Sequence, residues 1–131
     1  MRELHSTFSI AKTTKGKLPR LPFQALKNEV LGPHYDLSLV FIGRTRSRSL
    51  NRRYRGKDRP TDVLSFPIDK HTGEIFISPE QAKITARKFG YSKSQKFLAF
   101  LFIHGLFHLK GYEHGSTMEN EELKVRKKFG I

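Results

Sequence analysis

The sequence predicts an α+β protein in which a small mixed sheet of about four strands packs against a central buried helix, with other helices around it. Two observations predict this class. Short segments with strand-like apolar patterns all lie before residue 78. Residues 97–109 form one long segment that is apolar on nearly all sides, as in a buried helix. With 131 residues and no internal repeat, the chain is expected to form one domain over residues 1–131.

The first third of the chain contains two predicted strands with a helix between them. Residues 4–10 alternate loosely between apolar and polar types and are predicted to form the first strand. Residues 22–31 carry apolar side chains at helical spacing, and a Gly-Pro pair ends this helix. Residues 35–42 give the clearest strand. Its continuous apolar end predicts a central strand that is buried on both faces.

The middle of the chain contains a basic helix and a predicted hairpin. Residues 44–54 form an arginine-rich helix with only Leu50 and Tyr54 as apolar contacts. Residues 62–67 and 74–77 read as short strands joined by a polar turn that contains glycine, so we expect them to pair.

The last third is helical. We predict helices over residues 79–89, 93–110 and 117–129, and the middle one is the buried helix of the core. Each begins after a serine that has Gln or Glu three residues later, which is a capping signature, and these serines are Ser78, Ser92 and Ser116. A glycine ends each helix, at Gly90, Gly111 and Gly130.

The end of the buried helix carries the strongest functional signal. His104 and His108 are four residues apart, so a helix places them on one face. Gly111 can adopt a positive φ, end the helix and let the chain bring His114 back toward the other two. Three imidazoles can hold one face of a tetrahedral metal and leave a position for water, as in catalytic zinc sites. We predict a metal site on these three residues, with hydrogen-bonded core histidines as the alternative.

The metal predicted for this site is one zinc ion per chain. The chain has no cysteine, so histidine and carboxylate are its only strong ligands, although three histidines also accept nickel or cobalt. Zinc on neutral imidazoles lowers the pKa of its water to about 7 and makes hydroxide available for hydrolysis. Thermolysin-like sites have a glutamate base directly after the first histidine, where this chain has Gly105. The nearest carboxylate is Glu113, a candidate catalytic base, and a solvated or loop-capping glutamate is the alternative.

Charge indicates the class of substrate. The chain has 25 Lys and Arg against 12 Asp and Glu, a net charge of +13, which favours a polyanionic partner. No segment resembles a basic amphipathic anchor or an apolar leader, and the apolar run at 97–103 is too short to cross a bilayer. A nucleic acid is therefore expected as partner, with no membrane. The absence of cysteine fits a cytoplasmic protein.

A second informative stretch spans residues 50–67, where arginine is concentrated between a helix end and a strand start. Guanidinium groups bind phosphate through two hydrogen bonds and stabilise charge that develops on phosphorus. Most of these side chains are expected to be solvated. Arg55, followed by Gly56 at the helix exit, is the candidate catalytic residue of this stretch.

Together the two stretches resemble the YbeY family of single-domain bacterial endoribonucleases, also described as ribosomal RNA maturation factors. The family's His-Gly-x-Leu-His-Leu-x-Gly-Tyr-Asp-His motif is matched by His104, Gly105, His108, Leu109, Gly111, Tyr112 and His114. Its other conserved segment is matched by Leu50, Asn51, Tyr54, Arg55, Asp58, Thr61, Asp62, Val63, Leu64, Ser65, Phe66 and Pro67. The resemblance covers about half of the chain, residues 50–114.

The resemblance implies zinc on His104, His108 and His114, with Arg55 as the family's functional arginine. It also implies cleavage of single-stranded RNA, with no DNA expected as partner. Maturation of the small-subunit ribosomal RNA 3′ end and ribosome quality control are implied as well, with the small subunit and its assembly factors as partners. Three positions depart from the family pattern, namely Phe107 for Leu, Glu113 for Asp, and Glu74 in a segment where Gly-Asp-Ile is usual. The longer Glu113 changes the reach of the carboxylate beside the third histidine.

Two other function classes share these features. A zincin-like metallohydrolase would have similar histidine spacing, but Gly105 and the charge of +13 argue against it. A non-catalytic ribosome-assembly factor with a structural metal would have the same ligands and the same basic surface.

Overall fold

The computed structural model describes residues 8–91 and 94–131. Within these residues the chain forms four strands and five helices. In chain order they are β1 (Phe8–Lys12), α1 (Phe23–Leu31), β2 (Asp36–Phe41), α2 (Arg44–Arg55), β3 (Val63–Asp69), β4 (Thr72–Ile77), α3 (Pro79–Lys88), α4 (Ser94–Lys110) and α5 (Ser116–Phe129). The predicted strand residues 4–7 and the predicted cap Ser92 lie outside the described residues. The α+β class and the order of elements are confirmed.

The sheet is mixed, in the order β1-β2-β4-β3. β1, β2 and β4 are parallel, whereas β3 pairs with β4 as the predicted antiparallel hairpin. β2 lies between two strands, which confirms its central position. Only one of its faces is fully buried, because Leu37, Leu39 and Phe41 point into the core while Ser38 and Val40 are half-buried. The prediction of burial on both faces was wrong, since the side chains on the second face of β2 remain half-buried.

Helix α4 is the centre of the core, as predicted. It contacts β3, β4, α1, α3 and α5, and for this reason apolar residues surround it on nearly every side. Phe102, Ile103 and Leu106 are fully buried, and the ring of Phe102 meets that of Phe23 edge-on at 5.1 Å between centroids. Among the described residues no helix is long and apolar enough to cross a membrane.

Among the predicted caps of the last helices, Ser78 and Gly111 are confirmed, whereas the start of α5 differs. Ser78 accepts a hydrogen bond from the backbone N–H of Gln81 at 3.3 Å and so caps α3. Gly111 has φ +106° and ends α4, with its N–H donated to the carbonyl of His108. At α5 the cap is Gly115, and Ser116 is the first helical residue. The prediction of Ser116 as the cap was wrong, because Gly115 is the last residue with extended backbone and Ser116 is already helical.

Helix α2 is anchored by polar rather than apolar side chains. Its buried residues are Ser47 and Asn51. The predicted apolar contact Tyr54 is 57% exposed, and its ring meets that of Phe66 edge-on at 5.1 Å between centroids. Asn51 Nδ2 donates to the carbonyl of Arg59 at 2.9 Å, and the Ser47 hydroxyl bonds the backbone of Thr61. These bonds tie the loop after α2 to the helix and fix the approach to β3.

Gly105 allows α4 to approach the sheet closely. A Cβ atom at this position would lie 2.9 Å from Ser65 Oγ and 3.1 Å from Ile75 Cδ1. The Ser65 hydroxyl also donates to the Gly105 carbonyl at 3.2 Å. The position that carries the glutamate base in thermolysin-like sites therefore faces the sheet in this fold, and a side chain there could not act on a bound metal.

Gly105→Ala is expected to destabilise the fold. Overpacking typically costs about 1–3 kcal/mol, and better helix propensity returns at most about 1 kcal/mol. Urea denaturation of Gly105→Ala, Ser65→Ala and the double variant measures this, and the double variant should lose less than the sum of the single ones because the contact with Oγ is gone. If Gly105→Ala is as stable as the wild type, α4 and the sheet are not in close contact at this position.

Candidate metal centre

Three histidines converge at the C-terminal end of α4, and we call His104, His108 and His114 the histidine centre. His104 and His108 lie one turn apart on α4, and the glycine-ended turn after the helix returns His114 to them. One ring nitrogen from each residue lies within 4.8 Å of the other two. The first two side chains are half-buried and His114 is exposed, so the centre is open to solvent on one side. The structure thus brings the three predicted ligands together.

The outer nitrogens of the two helical histidines are held by acceptors. His104 Nδ1 donates to Glu122 Oε2 at 2.7 Å, and His108 Nδ1 donates to the carbonyl of Tyr112 at 3.1 Å. Because both partners accept, the neutral form of each ring carries its lone pair on Nε2, and the two Nε2 atoms face each other at 3.1 Å. Two ligands about 2.0–2.1 Å from a tetrahedral zinc would lie about 3.3 Å apart. The donor set fits such an ion.

The protonation state of His108 also suits a metal. Burial lowers the pKa of this imidazole below 6.5, and the neighbouring His104 and His114 lower it further against the opposing effects of the Tyr112 carbonyl and Glu122. A metal needs the neutral ring. At neutral pH His108 is therefore ready to bind without losing a proton first.

Glu122 is a site residue that the sequence analysis missed. Its side chain is only 4% exposed and points from α5 to His104. A carboxylate that binds the second nitrogen of a ligand histidine fixes the ring and raises its basicity. The available signal was a glutamate on the apolar face of α5, between the buried Met118 and Val125.

Glu122→Gln is expected to weaken metal binding about 10–100-fold, since the amide keeps an acceptor but loses the negative charge. Competition with a chromogenic chelator measures the affinity. Glu121→Gln is the matched control, because Glu121 pairs with Lys124 on the surface. Equal metal affinities for the two variants would remove Glu122 from the site.

Asp62 is a second carboxyl that the sequence analysis did not select. It precedes β3, and burial raises its pKa, while hydrogen bonds from the Thr85 hydroxyl and backbone N–H groups and the nearby charge of His104 act in the opposite direction. Perturbed carboxyls near a candidate centre are frequent sites of proton transfer. Its signal in the sequence was its place in the matched segment.

The two predicted catalytic residues do not contact the histidine centre through hydrogen bonds in the described part of the chain. Arg55 is the exposed last residue of α2, and Gly56 ends the helix with φ +71°. Glu113 is exposed in the turn before His114. Within residues 8–91 and 94–131, no hydrogen bond or ion pair joins either one to the histidines.

A cavity of about 390 Å³ between α4 and α5 opens beside the histidine centre. His104 and His114 line it together with Arg126, another residue that the sequence analysis missed. The Arg126 guanidinium lies 5.3 Å from the ring centroid of Phe100, which stacks on His104 at 5.9 Å. Arg126 Nε has no hydrogen-bond partner in the described part of the chain. The Arg126 guanidinium thus places a positive charge at the edge of the histidine centre.

Comparison with known proteins extends the similarity beyond the two motifs. The family profile described as "Endoribonuclease YbeY" matches residues 4–129. The chain is 36% identical over 123 residues to "Endoribonuclease YbeY" of Alkaliphilus metalliredigens (strain QYMF), across 86% of this chain and 79% of the relative. For the protein of the same name from Geobacillus kaustophilus (strain HTA426) the values are 36% over 129 residues, 87% and 81%. A solution structure of a Thermotoga maritima protein matches with a TM-score of 0.69 and 28% identity, over 94% of this chain and 89% of that one.

Proposed function

The chain belongs to the YbeY endoribonuclease family, and on that basis we propose that it is a metal-dependent endoribonuclease that cuts single-stranded RNA at the histidine centre. The observation that carries the proposal is the pair of facing Nε2 atoms, whose rings are oriented by Glu122 and the Tyr112 carbonyl. This arrangement is typical of ligand histidines. The open side of the centre favours a catalytic over a closed structural site.

We propose one zinc ion per chain on His104, His108 and His114. When bound, zinc activates a water molecule for attack at neutral pH. The protein's part is to keep His108 neutral through burial and to orient the ring of His104 through the carboxylate of Glu122. Three nitrogen donors with an open position suit zinc better than magnesium or calcium, which prefer oxygen.

Cationic side chains would bind the phosphates of the RNA. The net charge of +13 favours a polyanion, and Arg126 in the cavity beside the histidines supports contact with a phosphate next to the cleaved bond. Arg55 is proposed as the residue that stabilises charge on the reacting phosphoryl group. Its position at the start of the loop that leads to Asp62 is compatible with this role.

A carboxylate is proposed to accept the proton of the attacking water. Glu113 is the candidate next to the third ligand in sequence, and Asp62 is the candidate with a raised pKa near His104. A base of this kind works best when its pKa approaches the operating pH, which favours a buried carboxyl over an exposed one.

For the cellular role we propose maturation of the small-subunit ribosomal RNA 3′ end and ribosome quality control in the cytoplasm, together with the small subunit and its assembly factors. Family membership supports this role. Incubation of a precursor transcript with the purified protein tests it, because cleavage should fall near the immature 3′ end. Cleavage spread evenly over the transcript would contradict it.

Arg55→Ala is expected to lower kcat/KM for RNA cleavage about 10²–10³-fold while the protein keeps its metal, since the loss of one electrostatic contact to the transition state has effects of this size. Arg46→Ala on the same helix is the matched control, as Arg46 is also exposed. Single-turnover cleavage and metal content measure the two properties. If both variants cut RNA equally well, Arg55 has no catalytic role.

A further inference from the structure

A second concave surface lies away from the histidine centre. It is a groove of about 900 Å³ where β1 and β2 end and where α3 and α4 begin. Ligands frequently bind at the carboxyl ends of the parallel strands of a sheet. Five cations and one acid line it, namely Lys12, Lys15, Lys17, Arg20, Lys83 and Glu80. We call it the lysine groove.

The cations of the lysine groove are available to an anion. All five are exposed, and none of them forms an ion pair with a carboxylate within the described residues. Lys12 Nζ donates a hydrogen bond to the carbonyl of Gly16. A cleft lined by charges of one sign concentrates the electrostatic field and attracts ligands of the opposite charge.

The lysine groove also offers apolar contacts. Leu18, which is 39% exposed, lies among the lysines and presents apolar surface, whereas Leu98 and Phe41 are buried below the floor of the groove. A ligand with both anionic and apolar parts matches this lining better than a small inorganic anion. Single-stranded RNA has this composition, with phosphates along the backbone and apolar faces on its bases.

Helix α4 connects the lysine groove to the histidine centre. Gln95 and Leu98 line the groove, whereas His104 belongs to the centre. At 1.5 Å per residue, these positions are separated by about 9–14 Å along the helix axis. At 3.6 residues per turn, Gln95 and Leu98 are also about 120–180° away from His104 around the helix axis, so an RNA strand bound at the centre would have to pass around α4 to reach the groove.

We propose that the lysine groove binds the phosphate backbone of the RNA substrate outside the cleavage site, so that long substrates bind more tightly than short ones. This inference rests on the proposed function, because it assigns a second binding surface to the same substrate. It predicts that the groove contributes to affinity and leaves the chemical step unchanged.

The test measures binding of the full-length protein, as purified, to a single-stranded RNA of about 16 nucleotides. The RNA carries phosphorothioate linkages, which keep the charge and resist cleavage, and fluorescence anisotropy gives Kd at several salt concentrations. The groove variant is Lys15→Gln/Lys17→Gln/Arg20→Gln. The control variant, Lys70→Gln/Lys88→Gln/Lys127→Gln, has the same net charge and changes exposed cations outside the groove.

The groove variant is expected to bind about tenfold more weakly at low salt. Its slope of log K against log salt should fall by about 2, because three phosphate contacts to a single strand are lost. The control variant should bind as the wild type does. Lys83→Gln, on the α3 side of the groove, gives a second variant and should weaken binding about twofold.

Equal losses in the groove and control variants would overturn the proposal, since they would show a general effect of net charge. Unchanged RNA binding by the groove variant would also overturn it, and a loss of binding to vesicles with anionic lipid would then assign the groove to a lipid surface. Failure of the proposed function would give a different result from failure of the groove proposal. In that case the wild type would leave unmodified RNA intact while the difference in binding persisted.

Discussion

His114→Ala is expected to abolish RNA cleavage and to release the metal. His114 is the only ligand of the histidine centre outside α4, so its removal leaves two nitrogen donors on one helix and an incomplete site. Catalytic zinc sites use three protein ligands. Because His114 is exposed, the fold should tolerate the change, and the loss of activity should occur without loss of structure.

The matched control is His34→Ala, which removes an exposed histidine away from the centre. Cleavage of a labelled RNA and metal content are measured side by side, with circular dichroism to compare the folds. His34→Ala should keep both properties. Wild-type cleavage by His114→Ala would exclude the histidine centre as the place of the reaction.

Asp62→Asn is expected to lower kcat about 10²–10⁴-fold, the range for loss of a general base. The same change is expected to stabilise the protein at neutral pH. Burial raises the pKa of Asp62 above 3.8, so the folded state binds this proton more strongly than the unfolded state. The contribution of Asp62 to stability is therefore full below pH 3.8 and is lost as pH rises through the folded pKa. Asparagine avoids that loss.

Thermal melts and cleavage rates of Asp62→Asn and Glu113→Gln separate the two candidate bases. The gain in Tm for Asp62→Asn should be larger at pH 7 than near pH 4. Glu113→Gln should leave Tm unchanged, because Glu113 is exposed. If only Glu113→Gln loses activity, Glu113 is the base and Asp62 serves the fold. Retained activity in both variants would contradict proton transfer by either carboxylate.

Much of the fold could be predicted because its signals are local. The apolar run of α4, the alternation in β2 and the turn between β3 and β4 each depend on neighbouring residues in the sequence. The predictions that were wrong depend on tertiary contacts. The second face of β2 lacks a full cover, and α2 is held by Ser47 and Asn51 through bonds to a loop that hydrophobic patterns do not reveal.

The histidine centre could be predicted for the same reason. Its three ligands lie within eleven residues, and helical geometry with one glycine turn brings them together. No local pattern connects Glu122 and Arg126 to the histidines, because they come from α5 and meet α4 only through packing. A glutamate on an apolar helix face is the kind of local inconsistency that marks a functional site.

The central claim is metal-dependent cleavage at the histidine centre, and titration of metal-free protein with zinc tests it most directly. The protein is stripped with a chelator, and cleavage of single-stranded RNA is measured at each addition. Activity should be absent at first and should rise until one zinc per chain is bound, with no recovery for His108→Ala. Full activity of the metal-free protein, or recovery in His108→Ala equal to that of the wild type, would contradict the claim.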